Sequence, residues 1–188
     1  ENIVPASRLT LILVFVLVVG ALQIYDYQTD RLAEQLQVER NRYAFMAGHD
    51  ALTSLPNRTT FDVQLARAVA RTHRLGIPFA LLYLDLDDFK PVNDRLGHHA
   101  GDTVLRCVAD RLREITREND MAARIGGDEF AMLLEGIDDP DVADAVATKI
   151  VDRIARPIPI GDESVLVTAS VGAVLHPETP GDAPALER

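Results

Sequence analysis

Two short acidic segments carry residue types able to hold a metal ion and a nucleotide. Asp85-Leu86-Asp87-Asp88-Phe89-Lys90 closes an apolar run, and Gly126-Gly127-Asp128-Glu129 lies between two more. A carboxylate at the end of a buried strand is costly unless something neutralises it. Two such groups brought together make a hard, oxygen-rich site. That chemistry suits Mg²⁺ or Mn²⁺, held by a few carboxylates and completed by phosphate oxygens. Gly126 and Gly127 leave the backbone bare, so a phosphate can approach closely. Lys90 and the cation together would offset triphosphate charge. The reaction class that follows is phosphoryl or nucleotidyl transfer, where positioning and electrostatics do most of the work. Either segment alone also fits an ordinary acidic turn; their joint presence favours a site.

The elements around these segments follow from apolar periodicity. Phe79 to Leu86 reads as a buried central strand. Before it, Thr59 or Thr60 can cap a helix with Phe61, Leu65, Ala68 and Val69 on one face, ended by Gly76-Ile77-Pro78. A loop rich in Asn, Asp, Gly and His follows the strand. A second amphipathic helix is expected from Gly101 to Arg117. Met121–Ile125 and Phe130–Leu134 flank Gly-Gly-Asp-Glu as a β-hairpin with carboxylates at its tip. Asp139 to Arg156 reads as a third helix, and 158–160, 165–167 and 171–175 as the last strands.

Upstream, Leu9–Tyr25 is an uncharged, almost wholly apolar stretch of 17 residues, which predicts a membrane-spanning helix. Arg8 before it makes a signal peptide the rival reading. Asp26 to Gly48 is polar and free of Pro, and an imperfect heptad runs through it. Leu22, Thr29, Leu36 and Tyr43 take the a positions, and Tyr25, Leu32, Glu39 and Met46 the d positions. A short parallel coiled coil or a solvated helical spacer fits this pattern. Residues 1–8 are read as the remnant of an upstream region, 9–25 as the span, 26–48 as a signalling helix and 49–188 as one further domain.

The net charge of −10, from 29 acidic and 19 basic residues, argues against a protein that coats a nucleic acid polymer. A nucleotide ligand remains compatible, because bound cations supply positive charge. The one cysteine, Cys107, cannot form an intrachain disulfide and reads as a buried helix thiol. His98 and His99 are adjacent, with no cysteine nearby, which fits a loop better than a zinc site. Neither a P-loop nor a dinucleotide-binding glycine pattern occurs.

Arg124-Ile125-Gly126-Gly127-Asp128-Glu129-Phe130 resembles the signature of the GGDEF family of diguanylate cyclases. Four further segments resemble that family in order. They are Asp50-Ala51-Leu52-Thr53-Ser54-Leu55-Pro56-Asn57-Arg58, the strand and turn Asp85 to Asp94, Gly97-His98-His99-Ala100-Gly101-Asp102, and Ser170-Val171-Gly172. The resemblance implies an α+β fold with a central, mostly antiparallel sheet of five strands flanked by helices. It implies that Asp85 and Asp128 bind Mg²⁺ or Mn²⁺ through their side chains and Leu86 through its carbonyl. Glu129 would complete the cluster as a ligand or help deprotonate the attacking hydroxyl. Phe89 (through its backbone), Lys90, Gly126 and Gly127 would contact the phosphates. Asn93 and Asp102 would read guanine, whose N1–H and exocyclic amine are neighbouring donors that a carboxylate can accept.

The implied activity is condensation of two GTP into cyclic di-GMP and two pyrophosphates at the interface of a homodimer. Arg117 and Asp120, an R-x-x-D just before the hairpin, resemble the family's inhibitory product site. The implied location is the inner (cytoplasmic) membrane, with the catalytic domain in the cytoplasm. The family usually continues past the equivalent of Arg188 with a helix carrying basic residues, so the resemblance implies a domain truncated at its C-terminal end and weaker GTP binding without that helix. Two other readings are a non-catalytic receptor for GTP or cyclic di-GMP, and a regulatory module joined to a phosphodiesterase. The survival of Asp85, Asn93, Asp102, Asp128 and Glu129 favours the enzyme over the receptor.

Overall fold

A computed structural model describes residues 6–177 and, in the first helix, only part of the side chains. Residues 1–5 of the expected upstream remnant and 178–188 of the tail lie outside the described residues. The chain divides into two compact units between Ala47 and Gly48. The first holds one helix, α1 (Ala6–Gly48), which covers both the expected membrane span and the expected signalling helix. Among the described residues, no helix is long and apolar enough to cross a membrane. The span expected over Leu9–Tyr25 is therefore not supported; the apolar stretch continues without a break into the charged Asp26–Gly48 half of the same helix. The heptad residues Leu22, Tyr25, Leu32, Leu36, Tyr43 and Met46 are all exposed.

The second unit is built on a four-stranded sheet. Its elements in chain order are α2 (Arg58–Leu75), β1 (Phe79–Asp87), α3 (Phe89–Leu96), α4 (His98–Ile115), β2 (Met121–Gly126), β3 (Glu129–Glu135), α5 (Pro140–Ile154), β4 (Ile158–Ile160), β5 (Glu163–Val165) and β6 (Thr168–His176). The sheet order is β2-β3-β1-β6, and every pairing is antiparallel. The expected fifth strand is not in it. β4 and β5 are only three residues each and pair with one another around the left-handed Gly161, while Ile158 and Val165 are buried in the same core cluster as β1 and β3.

Alternation along β1 divides the core in two. Leu82, Leu84 and Leu86 face a cluster that includes Phe130 and Met132 of β3, Val104 and Val108 of α4, and Ile150 and Ile154 of α5. On the opposite face, Phe79, Ala131 and Leu133 pack with Phe61 and Ala68 of α2. Because both faces are covered over much of β1 and β3, those strands read as nearly continuous apolar runs.

Several local expectations shift. α2 is capped by Asn57, whose side chain accepts from the Thr60 amide, rather than by either threonine. The expected loop after β1 contains α3. Asp88 turns the chain in the left-handed region, and Pro91 sits in the first turn of α3, where its missing N–H costs nothing. α4 starts at His98, so the two histidines open a helix rather than lie in a loop. Cys107 is partly buried in α4, and burial pushes its thiol up, away from the reactive thiolate.

Arg111 of α4 locks α5 in place. Its guanidinium donates to the carbonyls of Ile154 and Arg156 at 2.8 Å and of Pro157 at 2.9 Å, satisfying acceptors at the end of α5. Arg111→Ala is expected to cost about 1–3 kcal/mol of stability, because charged donors to several carbonyls are lost at once. Urea unfolding checks this, and an unchanged midpoint would show that the clamp contributes nothing.

Candidate active site

The sheet brings the two acidic segments to one end. In the β1–β3 ladder Asp85 is the direct partner of Glu129, and Leu84 of Phe130. Directly opposed residues share a face, with Cβ atoms about 5 Å apart. The Leu86 amide donates to the Asp128 carbonyl at 3.3 Å, which ties the tip of the hairpin to the end of β1. Asp85 is exposed, and Asp128 and Glu129 are half-buried. On the other side of β1, Asp85 pairs with Ser170 and Asp87 with Thr168. Asp87 accepts from the Thr168 hydroxyl at 2.7 Å and the Ser170 hydroxyl at 2.8 Å; these hydrogen bonds, Thr168 first, hold its carboxyl below the ordinary value. That engagement leaves Asp85 and Glu129 as the facing pair.

Two arginines hold the hairpin, Arg58 from far away in sequence and Arg124 from within β2. Arg58, at the start of α2, lies 3.5 Å from the Glu129 carboxylate and donates to the Ile125 carbonyl at 3.3 Å. Arg124 grips the Gly127 carbonyl with Nε at 3.0 Å and Nη2 at 2.7 Å. Its Nη1 reaches both Asp50 oxygens, at 3.0 and 3.1 Å. Asp50 in turn accepts from the Thr53 amide at 2.8 Å and the Thr53 hydroxyl at 2.7 Å. Gly127 is left-handed at φ 56°, a conformation that favours glycine. Spacing alone revealed neither arginine as a support for the site, because the contacts of Arg58 with Ile125 and Glu129 and of Arg124 with Asp50 each close a loop of more than sixty residues; the only signal was their place inside the opening segment and the signature.

α3 and α4 supply the remaining residues. The end of β1 turns at Asp88 straight into α3, and Asp88 provides no side-chain cap. Amides in the first turn of α3, beside Phe89 and the exposed Lys90, are thus positioned as anion donors. Asn93 is half-buried on α3, and Asp102 is half-buried on α4, 3.8 Å from Arg106. The donors fit a hard divalent cation: two carboxylates directly opposed, with a third and backbone oxygens at the same bend. Among the described residues, no group of three or more His, Cys, Asp or Glu side chains is placed to hold an ion by itself. Mg²⁺ is commonly bound by one or two carboxylates plus substrate phosphates, so such a group is not required.

Arg117 and Asp120 lie elsewhere. The Asp120 carboxylate accepts from the Glu135 amide at 3.2 Å and the Arg117 amide at 3.3 Å. Glu135 ends β3 opposite Phe79, six residues along the strand from Glu129, a rise of about 20 Å. Arg117 is exposed.

The Asp50–Arg124 link predicts a pH effect. Burial alone would raise the Asp50 carboxyl, but hydrogen bonds from Thr53 and Arg124, with the Arg124 charge, outweigh it and the net shift is downward from 3.8. A carboxyl held low when folded stabilises above its ordinary value, and that stability fades as the pH falls through the lower folded value. The wild-type advantage over Asp50→Asn in urea is expected to be full near neutrality and to shrink below about pH 4. An advantage independent of pH would contradict a role for the charge.

Comparisons place this geometry among known proteins. The family model described as "Diguanylate cyclase, GGDEF domain" matches residues 47–186. MucR of Pseudomonas aeruginosa, a bifunctional diguanylate cyclase/cyclic di-GMP phosphodiesterase, is 42% identical over 152 residues, covering 81% of this chain and 22% of its own length. The diguanylate cyclase TpbB of the same species is 44% identical over 145 residues, covering 77% of this chain and 33% of its own. The chain thus spans a third or less of these two curated relatives. The crystal structure of the coiled coil and GGDEF domain of DgcB from Caulobacter crescentus, in complex with c-di-GMP, matches with a TM-score of 0.72 at 30% identity, covering 88% of this chain and 85% of that one. With its acidic hairpin set against the end of β1, and with the family model spanning most of its length, the chain belongs to the GGDEF family of diguanylate cyclase domains.

Proposed function

We propose that this domain condenses two molecules of GTP into cyclic di-GMP, releasing two pyrophosphates, at the interface of two copies. The observation that carries the reading is the opposition of Asp85 and Glu129 beside the bare Gly126-Gly127 bend. MucR and TpbB, whose names include this activity, support it.

Each copy would bind one GTP. Asp102 and Asn93 would take the guanine, and Lys90 and the α3 amides the triphosphate. Asp85 and Asp128, with the Leu86 carbonyl, would hold Mg²⁺ or Mn²⁺, phosphate oxygens completing the shell, and Glu129 would join them as a ligand or help deprotonate the attacking hydroxyl. That cation, when bound, lowers the pKa of an attacking hydroxyl and stabilises charge on phosphate. The 3′-oxygen of each GTP forms a bond to the α-phosphorus of the other. The bond to pyrophosphate breaks, and the hydroxyl proton leaves toward the acidic cluster, where Glu129 would help accept it. Holding two GTP face to face makes this a proximity effect of several kcal/mol, on the order of 7 or more when alignment is good.

The exposed heptad residues of α1 are the surface by which two copies would pair, and the DgcB structure, a coiled coil with its GGDEF domain, supports that use. Arg117 and Asp120 would bind product; their distance from Glu129 makes this inhibition at a second site rather than competition. We place the domain in the cytoplasm, where nucleoside triphosphates are available.

Incubating the protein with GTP and Mg²⁺ and assaying cyclic di-GMP tests the activity. Product is expected from the native protein and at least about a hundredfold less from Asp128→Ala. GTP binding with no product from the native protein would replace the enzyme by a receptor. In the same assay, Arg117→Ala is expected to raise the half-inhibitory cyclic di-GMP concentration about tenfold or more, because a charged donor is lost. An unchanged value would remove the second site from the account.

A further inference from the structure

Gly101 sits in the first turns of α4, next to Asp102, with an ordinary helical backbone. Its conformation does not require glycine, and glycine is unfavourable inside a helix relative to alanine. The space beside it does require one. A Cβ at Gly101 would lie 2.0 Å from Asn93 Oδ1, 2.9 Å from Asn93 Cγ and 3.1 Å from the Phe89 ring. Phe89 and Asn93 are one turn apart on α3 and so share a face. The Asn93 amide is thus seated in the gap left by the missing side chain, with the Phe89 ring alongside.

We infer that Gly101 is a positioning residue for base recognition: its bare backbone holds the Asn93 amide beside Asp102 so that both can meet one guanine. This rests on the reading that Asn93 and Asp102 face the base. The atoms that collide with a Cβ belong mainly to the end of a short side chain, which can rotate away. Alanine at this site would therefore leave the fold intact while turning the Asn93 amide out of place. If α4 yields instead, Asp102 moves with it, and the pair is again broken. A glycine needed only for close helix packing would show the opposite pattern, with stability lost first.

The test measures dissociation constants for GTP and ATP in Mg²⁺, with thermal midpoints, for the full chain, Gly101→Ala and Asn93→Ala. The two nucleotides carry the same triphosphate, so phosphate and cation contacts cancel in their ratio. Gly101→Ala is expected to lower the preference for GTP over ATP by about tenfold, as for a lost hydrogen bond to the base. Its ATP affinity and thermal midpoint should hold or rise slightly. If Asn93→Ala loses the preference and Gly101→Ala keeps it, the inference falls while the base-reading role of Asn93 stands. If Asn93→Ala itself keeps the preference, that role fails and the inference with it. A large drop in the Gly101→Ala midpoint, with both nucleotides weakened alike, would assign the glycine to packing and overturn the proposal.

Discussion

Asp85 and Glu129 face each other across the β1–β3 ladder, two like charges held close by the backbone hydrogen bonds of a sheet that is elsewhere apolar. Like charges directly opposed on neighbouring strands destabilise a sheet. The register cannot slip to separate them, because a shift of one residue would turn Leu82, Leu84 and Phe130 out of the core. Apolar burial thus enforces the electrostatic cost at the strand ends. A divalent cation bound there would convert that cost into affinity, and a nucleotide triphosphate would bring the oxygens to complete its shell.

The rest of the domain serves to keep that end of the sheet in order. Arg124 links the Gly127 carbonyl to Asp50, so the hairpin bend is tied to the segment where the domain begins. Arg58 ties Glu129 to the start of α2. The turn at Asp88 aims α3 from the end of β1, and the bare backbone of Gly101 leaves room for the Asn93 amide. At the far end of β3, Asp120 and Glu135 hold the R-x-x-D turn to the sheet. β3 therefore carries Glu129 at one end and, through the Glu135 amide, anchors the proposed product site at the other, a connection over about 20 Å.

Much of this was legible in the sequence, for physical reasons that differ by element. β1 announced itself by an apolar run too short for a helix, and the hairpin by glycines between two such runs. Their meeting followed from the cost of leaving carboxylates at buried strand ends. α3 was missed because Pro91, Asn93 and Gly97 carry turn chemistry, yet Pro91 falls in a first turn where proline is tolerated. The expected fifth strand is not in the sheet, because Ile158–Ile160 closes on the short segment Glu163–Val165, ahead of most of the apolar run read at 165–167. The apolar stretch at Leu9–Tyr25 read as a membrane span, and no such helix is found among the described residues. Arg58 and Arg124 are ordinary in local sequence; Glu129 and Ile125 meet Arg58, and Asp50 meets Arg124, only through chain closure.

The most direct test of the central claim is to locate the cation. Crystals of the protein grown with Mn²⁺ and a non-cleavable GTP analogue would show the ion in anomalous scattering maps. A peak within coordination distance of the Asp85 carboxylate and of Asp128 or Glu129, bridged to phosphate oxygens, is the predicted result. An ordered nucleotide with the ion elsewhere, or with Asp85 and Glu129 turned away from it, would contradict the account.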